Sequence, residues 1–217
     1  VTALTKENER LRRLWQEYAP RYDREAGLLE RMLLDDGRAW VCRQAEGEVL
    51  EVAIGTGLNL EHYPAGLSLT GFDLSPAMLA RARDRAAALG RQVELVEGEA
   101  HALPFPDRSF DTVVCTLGLC SVPDERPVIS EMFRVLRPGG RLLLLDHVGS
   151  HHRLIFLWQR LLERSMLKQC GDHQTRRPLP LVERAGFVID HQRRSKAGVV
   201  ERVVAHRPTA DELVESR

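Results

Sequence analysis

The sequence predicts an α/β protein: a Rossmann-like, doubly wound and mostly parallel sheet, with helices on both faces and an antiparallel strand pair at the C-terminus. Three observations predict it. Short runs rich in Val, Leu and Thr recur at residues 48–54, 67–73, 93–98, 110–117 and 140–148, each too short for a typical helix. Helical patterns lie between them, so one strand reaches the next through a crossover, and strands joined that way run parallel. The first run ends in Gly55-Thr56-Gly57, a glycine-bearing turn at the carboxyl end of a strand, where such a sheet takes its ligands.

Before the first strand, residues 5–18 set Leu11, Leu14, Trp15 and Tyr18 at helical spacing, with Thr5 as the N-cap. A turn is expected at Pro20, then one or two further helices up to Gly47. The helices between strands are expected at 57–63, 75–90 and 123–140, the last closed by Pro138-Gly139-Gly140. Beyond residue 150, 153–168 reads as an amphipathic helix and 179–187 as a short one ended by Gly186. Residues 187–194 and 199–207 form the antiparallel pair, and 208–217 read as a frayed tail.

A chain of 217 residues, 43% hydrophobic and 29% charged, suits one globular domain with a sizeable core. Lys+Arg and Asp+Glu both number 31, and no basic stretch reads as a nucleic-acid groove, so no nucleic-acid partner is expected. The four cysteines, Cys42, Cys115, Cys120 and Cys170, include no C-x-x-C pair and suit neither a zinc ribbon nor a disulfide framework. They fit buried thiols in a reducing, cytoplasmic setting. No apolar stretch reaches the roughly 18 to 20 residues that span a bilayer, and the N-terminus is charged rather than a signal-peptide core.

The second strand ends at Asp73, 16 residues beyond Gly57. A carboxylate there can accept hydrogen bonds from both hydroxyls of a ribose, and it also stands where it could cap the helix opening at Ser75-Pro76. The turn is not the G-x-G-x-x-G of nicotinamide and flavin enzymes, because Leu60 stands in place of the third glycine.

Four stretches, "LEVAIGTG", "FDLSPAMLARAR", "VEGEAHALPFPDRSFDTVVCTLGLCSV" and "EMFRVLRPGGRLLLLDHV", resemble in order the motifs of class I S-adenosylmethionine-dependent methyltransferases, in the type 11, quinone-biosynthesis-like branch. The resemblance covers roughly residues 15–150. It implies S-adenosyl-L-methionine as cofactor and S-adenosyl-L-homocysteine as product. Gly55 and Gly57 would line its methionine end, Glu51 would help hold its amino group, Asp73 would bind the ribose, and Leu74 and Met78 would pack on the adenine. Gly98, Glu99 and Ala100 would meet the adenine edge, and Thr116 and Leu117 would border the methionine portion. Ala53 belongs to the same loop but stands where family members usually carry glycine, and its methyl is expected to shift the loop slightly. "WQEYAPRYD" resembles an N-terminal tyrosine lid, which makes Tyr18 and Tyr22 candidate contacts. The implied plan of the single domain, 1–217, is a helical lid (1–47), a cofactor-binding core (48–148), a substrate-cap helix and loop (149–178), a C-terminal helix and strands (179–208) and a tail (209–217).

Methyl transfer from a sulfonium needs alignment and desolvation above all, and a base only where the acceptor must lose a proton. His147, just after the fifth strand, is the best-placed base, with His173 a second candidate in "CGDHQTRR" (170–177) beside Cys170, Asp172, Arg176 and Arg177. That loop's spacing offers no recognised metal set. "VVCTLGLCSV", "DHV", Trp158-Gln159 and "GDHQTR" are similar to stretches of membrane-associated thiol methyltransferases and their bacterial relatives. The similarity implies a small, apolar acceptor, a thiol, a phenol or quinol, or a lipid amine, with Trp158 and Arg176 as substrate contacts. Residues 153–167 hold more apolar side chains than one core-facing stripe needs, and the surplus is open to three uses: core packing, a cap on an acceptor pocket, or a homodimer contact. The alternative to transfer is a protein that binds S-adenosylmethionine for non-methylating chemistry or for a regulatory role in a biosynthetic complex.

Overall fold

Five parallel strands carry the site, and their order in space follows from the crossovers. The computed structural model describes residues 6–169 and 171–215. Its elements in chain order are α1 (Lys6–Leu34), α2 (Gly37–Cys42), β1 (Glu48–Val52), β2 (Ser68–Asp73), α3 (Pro76–Ala88), β3 (Glu94–Glu97), β4 (Phe110–Thr116), α4 (Glu125–Val135), β5 (Leu136–His147), α5 (Arg153–Gln169), α6 (Leu179–Arg184), β6 (Val188–Ser195), β7 (Val200–His206) and α7 (Ala210–Glu215). They build a seven-stranded sheet in the order β3-β2-β1-β4-β5-β7-β6. β1 to β5 run parallel, while β7 is antiparallel to both β5 and β6, as the sequence predicts.

The chain leaves β1 toward β2 on one side and returns to β4 on the other, so β1 and β4 flank the switch point. Val52 is level with both Phe72 and Cys115, which brings the carboxyl ends of β1, β2 and β4 to one rim. Alternation along the strands feeds two cores. Leu50, Val113, Leu142 and Leu144 enter one, and Val49, Val114, Leu143 and Leu145 the other. Each fully buried side chain of this size contributes about 1.5–3 kcal/mol.

Ser75, not Asp73, caps α3: its side chain accepts from the Met78 amide, and Pro76 follows in the first turn. Asp124 caps α4 in the same way through Arg126.

Four expectations are corrected. α1 runs unbroken through Pro20 to Leu34. A proline inside a helix costs about 3 kcal/mol, and packing on both sides of it opposes that cost: Leu11 and Ala19 are buried, and the rings of Trp15, Tyr18 and Tyr22 lie 5.9–6.2 Å apart across the break. Residues 57–63 form turns rather than a helix, with the Leu60 amide bonded to Gly57 O and the His62 amide to Asn59 O, because the Asn59 and Tyr63 side chains are drawn inward to Glu51. Pro138-Gly139-Gly140 does not close α4. The helix ends at Val135, and the three residues lie within β5 where pairing with β4 jumps from Phe110–Leu136 to Thr112–Arg141. The expected tail holds α7, started by a capping box in which Glu212 accepts from the Thr209 amide at 2.7 Å and the Glu212 amide reaches back to Thr209 Oγ1. Thr5, the expected cap of the first helix, lies outside the described residues.

Candidate functional site

The loop after β1 takes three left-handed residues in five positions: Ala53 (φ 58°), Gly55 (φ 57°) and Gly57 (φ 78°). For Ala53 that conformation costs roughly 1 kcal/mol that glycine would not incur. The two glycines serve different ends. A Cβ on Gly55 would meet no atom within 4 Å, so the backbone there faces open space. A Cβ on Gly57 would stand 2.8 Å from Leu60 and 3.2 Å from the Ala82 backbone, so this glycine lets α3 approach the loop and does not line the site.

Asp73 fastens the turn. One carboxylate oxygen accepts from the Gly55 amide at 2.8 Å and the other from the Ser75 amide at 2.8 Å. Burial pushes its carboxyl up to about 6 against the pull of the Ser75, Gly55 and Leu74 amides.

A cleft of about 830 Å³ opens above this rim. The loop after β1 gives it Ala53 and Gly55; the end of β2, the residue after it and α3 give Asp73, Leu74 and Met78; the loop after β3 gives Gly98, Glu99 and Ala100; the end of β4 and the residue after it give Thr116 and Leu117; and Tyr22 of α1 closes over them. Eleven of the fourteen sequence-predicted cofactor residues, widely spaced in the chain, thus converge; the other three, Gly57, Tyr18 and Glu51, do not line the cleft.

Glu51 is buried behind the wall. Its oxygens accept from Asn59 Nδ2 at 2.7 Å and Tyr63 Oη at 2.9 Å, and burial raises its carboxyl to about 7 against those donors and the nearby Arg38. Asn59 Nδ2 also reaches Thr116 Oγ1 at 2.9 Å. Arg38 joins the two layers: it donates to Asn59 Oδ1 and Thr116 Oγ1, each at 2.9 Å, and pairs through two nitrogens with Glu30 at 2.7 and 2.8 Å. Arg38 lines the cleft, and sequence reasoning missed it, since an arginine in a six-residue helix carries no motif.

A second cavity, about 770 Å³, adjoins the first and shares Trp15, Tyr22, Leu117 and Ser121 with it. Tyr18, Leu33, Leu34 and Met166 give it an apolar lining, and Cys120, His147 and Asp172 a polar corner. His147 Nε2 lies 2.9 and 3.0 Å from the two Asp172 oxygens. Burial opposes charge on the ring, but Asp172, with Asp146 and Glu163 beyond it, outweighs burial and holds the imidazole above its ordinary value. Gln174 Nε2 also donates to Asp172, at 2.7 Å. Cys120, Asp172 and His147 bring ligand-type atoms within 4.8 Å of one another. The Nε2–carboxylate spacing is that of a hydrogen bond, tighter than the about 3.3 Å between two ligands around a tetrahedral ion. Burial and the neighbouring carboxylates Asp146 and Asp172 keep the Cys120 thiol protonated.

Three expected site residues fall elsewhere. His173 lines neither cavity; its ring faces Glu163 at 3.4 Å, its amide bonds Cys120 O, and burial and Arg176 lower its pKa. Arg176 is engaged by the carbonyls of Leu119, Val122 and Pro123 and by Glu125 at 2.6 Å, so it holds the loop after β4. Trp158 stands on the outer face of α5, away from both cavities, while its neighbour Gln159 is buried and pins the helix through the Ser150 amide and the Val148 and Gln174 carbonyls. Cys170 lies outside the described residues.

Residues 50–144 match the family described as Methyltransferase domain. The chain is 45% identical to phosphatidylethanolamine N-methyltransferase of Cereibacter sphaeroides, over 46% of this chain and 51% of that protein. It is 39% identical to demethylmenaquinone methyltransferase of Thermus thermophilus (61% and 64%) and 37% identical to thiol S-methyltransferase TMT1B of Rattus norvegicus (65% and 60%). The aligned stretches thus span about half to two-thirds of these relatives' own length. Among solved structures, a SAM-dependent methyltransferase of Methanosarcina mazei is similar at 27% identity and a TM-score of 0.61, covering 75% of this chain and 92% of that one. The [4+2]-cyclase SpnF shares the fold at 20% identity and a TM-score of 0.67, over 82% and 80%. The ordered strand-end motifs, the cleft they line and these matches agree: over residues 50–144 the chain carries a methyltransferase domain, and it is similar to S-adenosylmethionine-dependent methyltransferases.

Proposed function

We propose that the protein transfers a methyl group from S-adenosylmethionine, held in the first cleft, to a small apolar acceptor in the second cavity. The observation that carries this reading is the shared wall: Trp15, Tyr22, Leu117 and Ser121 border both spaces, so ligands in the two lie next to each other with apolar surroundings at the junction.

The residues present fit the cofactor. Gly55 leaves the rim open, and Asp73 keeps a lone pair on each oxygen after holding two amides. Asp73 would accept from the ribose, Leu74 and Met78 would flank the adenine, and Glu99 would meet its edge. Thr116, Leu117 and Gly55 would border the methionine end, and Arg38 is the cation on that wall for a carboxylate. When bound, the cofactor supplies a methyl activated by a sulfonium. The chain's part is to exclude water, align the acceptor and take its proton. His147 would accept that proton, and Asp172 would orient the ring and stabilise its charged form.

The three relatives named above act, by their names, on a phospholipid amine, a quinone precursor and a thiol. The apolar lining supports an acceptor of that range, a thiol, phenol or quinol, or lipid amine. A cytoplasmic site of action is supported by the free, buried thiols of Cys42, Cys115 and Cys120, and the expectation of no nucleic-acid partner by the balanced charge of the chain. Among the described residues no helix is long and apolar enough to cross a membrane.

The test is mass spectrometry of products after incubation with methyl-labelled S-adenosylmethionine and a panel of thiols, phenols, quinols and phospholipids. A labelled acceptor is the expected result. Cofactor that stays bound and unconsumed across the panel would favour the non-methylating alternative.

A further inference from the structure

α5 has an inner face that the fold accounts for and an outer one that it does not. The inner face is tied down by buried Gln159, by Phe156 under the Arg177 guanidinium, and by Glu163, which accepts from Thr175 Oγ1 at 2.5 Å. On the outer side Leu154, Leu157, Trp158, Leu161 and Leu162 follow the i, i+3, i+4, i+7, i+8 spacing of one stripe, and they are 54–77% exposed. Five of the nine exposed large hydrophobic residues among those described stand on this one helix. Along one edge of the stripe run Arg153, Arg160, Arg164 and Lys168, all exposed. The helix's single acid, Glu163, is turned inward.

We propose that this face of α5 docks the protein on an anionic phospholipid bilayer, lying in the plane of the surface. A helix with leucines and a tryptophan on one side, cations along its edge and no outward acid matches what the headgroup region offers: an apolar boundary for the side chains and negative charge for the edge. A second copy of the chain is the poorer occupant, since an antiparallel two-fold pairing would set the cationic edge against itself. The surface also continues into the molecule. Leu162 and Met166, four residues apart, share a helix face, and Met166 lines the second cavity, so docking would set that cavity's rim beside the lipid. The docking argument stands on the outer face alone and holds whether or not the second cavity takes a methyl acceptor.

Co-sedimentation with vesicles tests it, using phosphatidylcholine alone and phosphatidylcholine with roughly a quarter phosphatidylglycerol. The protein is expected to pellet with the anionic vesicles at low salt and to be released as salt rises. Leu157→Gln with Leu161→Gln is expected to weaken binding at least about tenfold through lost apolar burial. Arg160→Gln with Arg164→Gln is expected to weaken it about 30-fold on anionic vesicles alone. All four positions are exposed, so thermal melts should match the parent. Equal pelleting of parent and variants would overturn the proposal. So would a dimer in light scattering that the leucine variant dissociates while the parent ignores vesicles, since the stripe would then be a protein contact.

Discussion

The two cavities share a wall and are made by different means. The cofactor cleft is built from strand ends and the turns that leave them, so backbone amides, a tight loop and a few side chains close to them in sequence define it. The second cavity is built from side chains that meet only when α1, the loop after β4, the end of β5, α5 and the loop after it pack together, with Tyr18, Cys120, His147, Met166 and Asp172 drawn from across the chain. Recognition written into backbone leaves short, ordered motifs. Recognition assembled by packing leaves almost none.

The division can be broken first at His147. His147→Asn removes the group next to Asp172 on the acceptor side only, so turnover of an acceptor that must lose a proton is expected to fall about 100-fold or more, while S-adenosylhomocysteine affinity by calorimetry stays as it was. A loss of cofactor affinity would mean that the two cavities are one unit. Asp73→Ala is the reverse probe. It removes the acceptor of the Gly55 and Ser75 amides as well as the proposed ribose contact, and S-adenosylhomocysteine binding is expected to weaken at least about tenfold. Unchanged affinity would remove the centre of the cofactor assignment.

Acidity sharpens the same contrast. A ribose hydroxyl donates to ionised Asp73, and burial raises that carboxyl to about 6, so affinity should be full above pH 6 and fall as pH drops through it. Between pH 7.5 and 5 the loss should be about tenfold, set by the fraction ionised. Folding responds with the opposite sign. The unfolded carboxyl ionises near pH 4, so between about 4 and 6 the unfolded state has lost its proton first and stability from this group falls as pH rises. Titration calorimetry across pH, with Asp73→Asn as the variant that should lose the dependence, checks both.

The smallest effect is at Ala53. Ala53→Gly relieves the left-handed strain and is expected to raise the thermal midpoint by about 2–4 °C, with no change in acceptor turnover. A fall instead would show that the methyl group, which sits where a Gly118 side chain would press, contributes packing worth more than the strain.

These contrasts also explain what could be read from the chain. The strands were legible because short runs of strand-forming residues and the glycine turn are local signals, while most of the cleft was legible through the resemblance of the ordered motifs to a known family. α7 was legible in principle, through Thr209 and Glu212 at capping-box spacing, and was missed because a terminus reads as a tail. Pro20 misled because the cost of an internal proline is local while the aromatic packing that opposes it is tertiary. Gly57 and Glu51 belong to the right motif but act one layer behind the cleft, a difference in depth that spacing does not encode. Arg176 and Trp158 were singled out for chemistry that suits a substrate, yet one meets carbonyls and the other solvent. The Asp172 partner of His147 lies 25 residues away, and only the loop's return past Cys120 brings them together.

α1 roofs both cavities at once: Asn8 and Leu11 stand over the first cleft, Tyr18 over the second cavity, and Trp15 and Tyr22 over both. It is latched at Asp23, which pairs with Arg85 at 2.6 Å and accepts from Thr56 Oγ1 at 2.6 Å, and at Arg12, which meets Glu97. Between the latches the helix lacks the hydrogen bond that Pro20 cannot donate. A single hinged roof over two rooms ties the comings and goings of one occupant to those of the other. Loosening the Asp23 latch would then change how long a spent cofactor lingers without touching any group that meets the reacting atoms.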